Sequence, residues 1–190
     1  MNTAEGLRIR IAILVGGFPV VSETFITNQV VGLIEAGHDV RVYARRPNTS
    51  TEATPVYRGV DLGAIRKPGV IPPGPIVQRI GRGLVFSIRA MVLAPVRSLR
   101  VFWQIISEPD CHGFQWVKPW LTIVPFLGIW RPDVLHCHFG TNGLLGARLV
   151  ATGAISAPLV VTFHGHDVHA VPRRRGSDVY TSLFATASAI

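Results

Sequence analysis

The run His164-Gly165-His166-Asp167 puts two imidazoles and a carboxylate straight after the apolar stretch 158–163 (PLVVTF). A histidine at the exit of a buried strand, followed by glycine, is poorly explained by packing. Neutral imidazole donates a hydrogen bond to a sugar hydroxyl, and imidazolium stabilises a phosphate. The alternative is a histidine that only caps the following helix. A second imidazole pair, His136 and His138, flanks Cys137 at the end of DVLHCH. In a strand the two histidines face one side and the thiol the other, so the three cannot form a joint ligand set. Two histidines at i, i+2 could share a metal, but no further cysteine or paired-carboxylate pattern supports zinc. No metal and no cofactor are expected.

Gly16 and Gly17 close the run 7–15 (LRIRIAILV). Glycine there lets the backbone approach a phosphate or a sugar, and the next helix start offers unpaired N–H groups to an anion. A ligand-free tight turn would need the same residues. The spacing is not G-x-G-x-x-G, so a dinucleotide fingerprint is missing and an oxidoreductase is a distant reading. Ser22-Glu23-Thr24-Phe25 reads as an N-cap, a first-turn carboxylate matched to the helix dipole, and a core aromatic. A carboxylate at a crevice-facing helix start also suits sugar hydroxyls.

Strands and helices must carry these groups to one place. Residues 7–15 predict a strand buried on both faces, and 23–36 show apolar residues at helical spacing. Gly37 supplies a left-handed stop, and 39–44 (DVRVYA) is β-branched and aromatic. Together they predict one right-handed βαβ unit with a parallel sheet. Regular pattern is lost over 45–75, which predicts a long loop. Residues 76–106 predict helix with a break at Pro95, and 114–130 form a second apolar, tryptophan-rich stretch. Strands are then expected at 133–138 and 158–163, a helix at 141–152, a helix after Gly176, and the start of a strand at 187–190. The fold class is therefore α/β, a Rossmann-like open, mostly parallel sheet with helices on both faces. Ligands of such sheets lie beyond the carboxyl ends of the strands. Gly16-Gly17, His138-Phe139-Gly140 and His164 to Asp167 all follow predicted strands, so three glycine-containing loops should converge on one sheet edge.

Composition narrows the partners. Over 190 residues, 48% hydrophobic and 16% charged content describes a folded domain with a real core, and two cysteines are too few for a disulfide scaffold. A cytoplasmic, reducing compartment fits. The first apolar run is short and follows Glu5, so no secretory signal is expected. The stretch 84–106 is interrupted by Arg89, Pro95, Arg97 and Arg100, so no membrane span is expected there. A formal charge of +8 calls for an anionic partner: nucleic acid, acidic lipid or a phosphate-bearing small molecule. No nucleic-acid module is present, and no nucleic acid is expected. The arginines at 79, 82, 89, 97 and 100 stand among large apolar residues, which is how an interfacial membrane helix is built; a solvated helix face has the same composition. Trp103, Trp116, Trp120 and Trp130 favour the interface reading. Arg173-Arg174-Arg175 after Pro172 either meets phosphates or keeps a loop in water.

Three segments carry a resemblance. Gly17-Phe18-Pro19-Val20-Val21-Ser22-Glu23-Thr24-Phe25-Ile26 resembles the segment after the first strand in bacterial family 4 glycosyltransferases. Asp133 to Gly140 (DVLHCHFG) is similar to the family's His-x-His-Phe strand end, and Val161 to Val168 (VTFHGHDV) to its Thr-x-His-Gly-x-Asp segment. The matches occur in order and run from about Leu7 to the end. The resemblance implies the N-terminal, acceptor-side half of a GT-B fold, retaining and metal-independent hexosyl transfer, and a nucleotide-diphospho-sugar donor. It implies a glycan or lipid-linked acceptor, in exopolysaccharide or lipopolysaccharide-type synthesis. It places Gly16 and Gly17 by the donor phosphates and His164 by the transferred sugar as the catalytic residue. Ser22, Glu23, Thr24 and His138 fall on the acceptor side, with His166 and Asp167 as further sugar contacts.

The paired glutamates and basic residues of the family's C-terminal, donor-binding domain have no counterpart in residues 1–190. The chain is accordingly expected to be a truncated half that is inactive alone, peripheral on the inner face of the cytoplasmic membrane through an anionic surface. Two other classes stay open: a non-catalytic sugar- or phosphate-binding module, and a basic membrane-surface interaction protein.

Overall fold

The computed structural model describes residues 7–46, 56–71, 74–109 and 111–190. Strand β1 (Arg10–Val15) is followed by a 3-10 turn (Val21–Glu23), helix α1 (Thr24–Glu35) and β2 (Asp39–Ala44). Ser22 was expected to cap α1, but the chain enters through the 3-10 turn, so Glu23 takes the N-cap position, without a side-chain cap bond. Gly37 ends the helix at φ +91°, with its N–H on the Ile34 carbonyl. It adopts this left-handed conformation at little steric cost.

The stretch expected as a loop over 45–75 is partly ordered, although 47–55 lies outside the described residues. It contains a hairpin of β3 (Val56–Tyr57) and β4 (Val60–Asp61), helix α2 (Leu62–Ile65), and β5 (Arg66–Pro68). Asp61 caps α2 by accepting from the Gly63 and Ala64 N–H groups, and β5 pairs in parallel with β2. Elements of two to four residues carry too short a period to be read from hydropathy.

Pro95 divides the next segment as expected, giving α3 (Ile76–Leu93) and α4 (Pro95–Ile106). Then come α5 (Val117–Ile123), β6 (Val134–His138), α6 (Gly140–Ala151), β7 (Leu159–Thr162), α7 (Gly165–Arg175) and α8 (Thr181–Thr186). The sheet runs β5-β2-β1-β6-β7, all parallel. Ala189 makes a parallel bridge to Val160, so the strand expected at 187–190 has begun beside β7.

Alternation sorts the strand side chains onto two faces. Ile11, Ile13, Val15, Val40 and Val42 pack with Ile26, Val30 and Leu62 under α1 and α2. Ala12, Leu14, Leu135, Cys137, Leu159 and Val161 pack against the helices of the other face. Gly140, Gly143 and Gly146 recur every third residue along α6, and a Cβ on any of them would come within 2.6–2.8 Å of a neighbouring side chain. This stripe lets α6 lie close on β6 and β7. At the amino edge Asp133 accepts from both the backbone N–H and the guanidinium of Arg10, which pulls its carboxyl down to about 2 and ties β1 to β6.

Candidate functional site

The strand order reverses between β1 and β6. After β5 the chain crosses back over the sheet through α3, α4 and α5 before entering β6. The loops after β1 and β6 therefore diverge at that point and leave a crevice beyond the carboxyl ends. A cleft of about 450 Å³ lies there. Gly16, Glu23, His166 and Asp167, all expected from sequence, line it. So do Arg45, Arg46, Val70, Phe139, Thr141 and Asn142, which sequence reasoning did not assign.

His164 stands at the rim, its ring centroid 4.8 Å from that of Phe25 and 4.4 Å from that of Phe139. Its N–H donates to Asp167 Oδ2 at 3.1 Å, while the Asp167 N–H donates to the His164 carbonyl at 2.8 Å. Asp167 thus fastens the start of α7 and is 1% exposed, whereas His166 is exposed. His164 heads a helix, and its ring packs against those of Phe25 and Phe139, beside the cleft-lining residue Phe139. Pro172 lies inside α7, and Arg173, Arg174 and Arg175 form its last turn rather than a loop. Cations there match the helix dipole, as Asp167 does at the other end.

His138 does not line the cleft. It is 2% exposed, with Nδ1 3.5 Å from His164 Nε2 and its ring stacked on that of His164. Burial, then the neighbouring His136 and His164, pulls its pKa down to about 3, so the ring stays neutral and supports His164 from beneath. His136 has Nε2 2.9 Å from Thr162 Oγ1 and Nδ1 3.4 Å from the Gln29 amide. Both of its nitrogens are thereby engaged, and among the described residues no group of three His, Cys, Asp or Glu side chains is placed to hold a metal ion.

Glu23 is half-buried, and its Oε2 has no hydrogen-bond partner among the described residues. Burial raises its pKa, opposed by the charges of Arg46 and His164. A carboxylate oxygen at a cleft wall can accept a hydrogen bond. Ser22 and Thr24 are exposed beside it, and Gly17 is buried beneath the loop, with no place in the cleft lining.

Phe139 adopts φ +72°, ψ 133°, strained for a residue with a Cβ. Its carbonyl accepts from the N–H groups of Asn142 and Gly143, and its ring lies against His164. The turn costs about 1–3 kcal/mol, offset by packing, and opens the first turn of α6 toward the cleft. The missed arginines had the same sequence signal as the expected residues. Arg45 and Arg46 directly follow β2, at the carboxyl edge.

Comparison with known proteins agrees with this geometry. The profile of the glycosyl transferase 4-like domain matches residues 22–190. The chain is 25% identical over 159 residues to the Escherichia coli protein named "Putative colanic acid biosynthesis glycosyltransferase WcaL", covering 80% of this chain and 36% of that protein. It is 26% identical over 157 residues to the Salmonella typhimurium protein of the same name. To the amylovoran biosynthesis glycosyltransferase AmsK of Erwinia amylovora it is 27% identical over 157 residues, and both alignments again cover 80% and 36% of the two chains. The chain thus spans about a third of the length of these relatives. A match over residues 22–190, on a parallel sheet whose post-strand loops meet in one cleft, shows that the chain belongs to the glycosyl transferase 4-like domain family.

Proposed function

We propose that this chain forms the acceptor-side half of a GT-B glycosyltransferase cleft. The whole enzyme moves a hexosyl group from a nucleotide-diphospho-sugar to a glycan or lipid-linked acceptor in exopolysaccharide-type synthesis, with retention and without a metal. The carrying observation is the convergence of Gly16, Glu23, Phe139 and Asp167 at the β1/β6 switch point, with His164 held between two phenylalanine rings beside them. Gly16 would admit the donor phosphates, with Gly17 buried behind it in the same loop. His164 would hydrogen-bond the transferred sugar, with His138 as its positioning residue. Glu23, flanked by Ser22 and Thr24, would accept from acceptor hydroxyls, and His166 would reach the sugar from α7, whose start Asp167 fastens.

A cleft with one wall stabilises little of the charge that develops on a leaving diphosphate. A second, donor-binding domain completes it in this reading. In an assay with radiolabelled nucleotide sugars, the 190-residue chain alone is expected to give no turnover; turnover by it alone would overturn the half-cleft assignment. In a polypeptide that carries both domains, His164→Ala should lower kcat about 10²–10³-fold while the protein stays folded, the size seen for one lost transition-state donor. An unchanged kcat would remove His164 from catalysis.

The same reading places the protein on an anionic membrane, at the cytoplasmic face. Ile76, Val77, Ile80, Leu84, Ile88 and Val92 of α3, with Val96, Leu99 and Trp103 of α4, each leave 49–76% of their surface exposed. On α3 these residues fill one side of the helix, and the arginines at 82 and 89 flank them. From Leu62 to Ser107 the sequence has seven Lys or Arg and no Asp or Glu. Exposed apolar area beside cations, with no acid near, is complementary to an acidic bilayer surface. No helix among the described residues is long and apolar enough to cross a membrane.

A further inference from the structure

We infer that the groove between α3, α4 and α5 binds one acyl chain of an acidic membrane lipid. The inference deepens the membrane reading of α3 and α4. An exposed face alone would satisfy that reading, whereas the groove gives a single chain a bounded site.

The groove encloses about 510 Å³, within the roughly 300–1,000 Å³ of small-ligand pockets. Ile80, Leu84 and Met91 of α3 line it with Leu99 and Phe102 of α4 and Leu121 of α5. The α3 residues at 80, 84, 87 and 91 recur at helical spacing, so they form one stripe. At Gly83, on the same side of the helix, an added Cβ would stand 2.9 Å from Leu121 Cδ2, so glycine lets α5 close against α3 there. The Phe102 ring meets those of Trp116 and Trp120 edge-on, at centroid distances of 5.4 and 5.6 Å, which stiffens the aromatic wall.

The lining selects hydrocarbon. Among the described residues no charged side chain lines the groove. Trp120 Nε1 donates to Ser87 Oγ at 2.9 Å, and Ser87 Oγ donates to the Gly83 carbonyl at 2.8 Å, so these polar groups are satisfied within the lining itself. Water finds few partners in such a groove, and an alkyl chain displaces it favourably. Depth separates the groove from a flat face: Ile80 and Leu84 are 64% and 60% exposed at the rim, while Trp120 is 5% exposed.

Charge decides the occupant. Arg79, Arg100 and Lys118 are exposed and stand next in sequence to the lining residues Ile80, Leu99 and Val117. Glu108, just beyond α4, is bound by Arg148 at 2.7 Å. A second copy of the chain would bring a formal +8 and the same cations to this face, so repulsion opposes self-association. An acidic lipid instead sets its phosphate beside the cations and its chain in the groove. Ile80, Leu84 and Leu99 belong both to the lining and to the exposed face of α3 and α4, so a chain enters directly from a bilayer seated on that face.

Titration of the full chain with ω-bromododecanoate, kept below its micelle-forming concentration, tests the site with a single anionic chain. In a Trp103→Phe, Trp130→Phe background, checked for folding by circular dichroism, both remaining tryptophans line the groove, and bromine quenches them on contact. Saturable quenching is expected, with isothermal titration of the unsubstituted chain giving the same affinity. From ω-bromo-octanoate to the dodecanoate, affinity should rise about fourfold per methylene, the gain from burying each one. Ile80→Gln or Leu84→Gln should weaken binding about tenfold. Ile88→Gln, at an exposed position of α3 outside the groove, should leave it unchanged. Absence of saturable quenching, or equal losses in Leu84→Gln and Ile88→Gln, overturns the groove. A dimer in sedimentation that the probe dissociates would put a second copy there and overturn it as well. Liposome flotation reads the membrane face separately: flotation without probe binding keeps that reading and sinks the groove, and probe binding without flotation does the reverse.

Discussion

His138 shows how burial converts a titratable residue into a structural one. In the unfolded chain it takes a proton near 6.5, while in the fold that value falls to about 3. Between those values the unfolded chain binds more protons, so stability is complete above about pH 6.5 and is lost as the pH falls toward 3. His136, also lowered by burial, acts in the same direction. Replacing His138 by Gln removes one titration, so the drop in unfolding free energy between pH 7 and pH 5 should shrink by about 2 kcal/mol. Urea melts at the two pH values measure this, and equal drops in both proteins would show that His138 is not held neutral by the fold. The types of the site residues were legible from their positions after strands. Their ranks were not: His138 and His164 look alike in sequence, yet one lies beneath the other.

At the scale of the element, glycine separates positions that a helix tolerates from positions it needs. Gly32 in α1 has nothing within 4 Å of an added Cβ, while at Gly146 in α6 that atom would stand 2.6 Å from Cys137 Sγ and 2.9 Å from Leu159 Cδ1. Gly32→Ala should therefore stabilise by about 0.5–1 kcal/mol through lower unfolded-chain entropy. Gly146→Ala should destabilise by about 1–3 kcal/mol through overpacking. Denaturant midpoints check both, and a stabilising Gly146→Ala would mean that α6 does not seat closely on β6 and β7. Long periodic elements such as α1, β2, β6 and the α3–α4 break could be read from the sequence. The β3–β4 hairpin and α2 could not, because a few residues do not establish a period. The start of α1 was displaced by a 3-10 turn, and α7 was hidden by the proline within it.

For the whole molecule, Val70 lines the cleft, and α3 begins six residues later in sequence at Ile76. Liposome flotation is expected to recover the protein with vesicles rich in acidic phospholipid and to lose it with neutral vesicles or at high salt. Leu84→Asp with Trp103→Asp, both at exposed positions, should reduce recovery with acidic vesicles at least severalfold, since each change removes apolar area and adds like charge. Recovery that is indifferent to lipid charge, or to these substitutions, would rule out this face as the membrane contact.

The sequence by itself determined the alternation of strands and helices, the parallel sheet, and the rule that chemistry follows each strand. These depend on local period and on glycine, which neighbours in sequence express. The glycine loop, the Ser-Glu-Thr-Phe segment and the His-Gly-x-Asp segment also carried the family resemblance. Only the tertiary structure decided which groups share the cleft. Crossing back over the sheet set β6 beside β1, so His138 came to rest under His164 and Arg45 came within reach of Asn142. Burial and Coulombic crowding arise from distances in space between residues far apart in the chain. The set of groups that line the cleft is therefore a property of the fold.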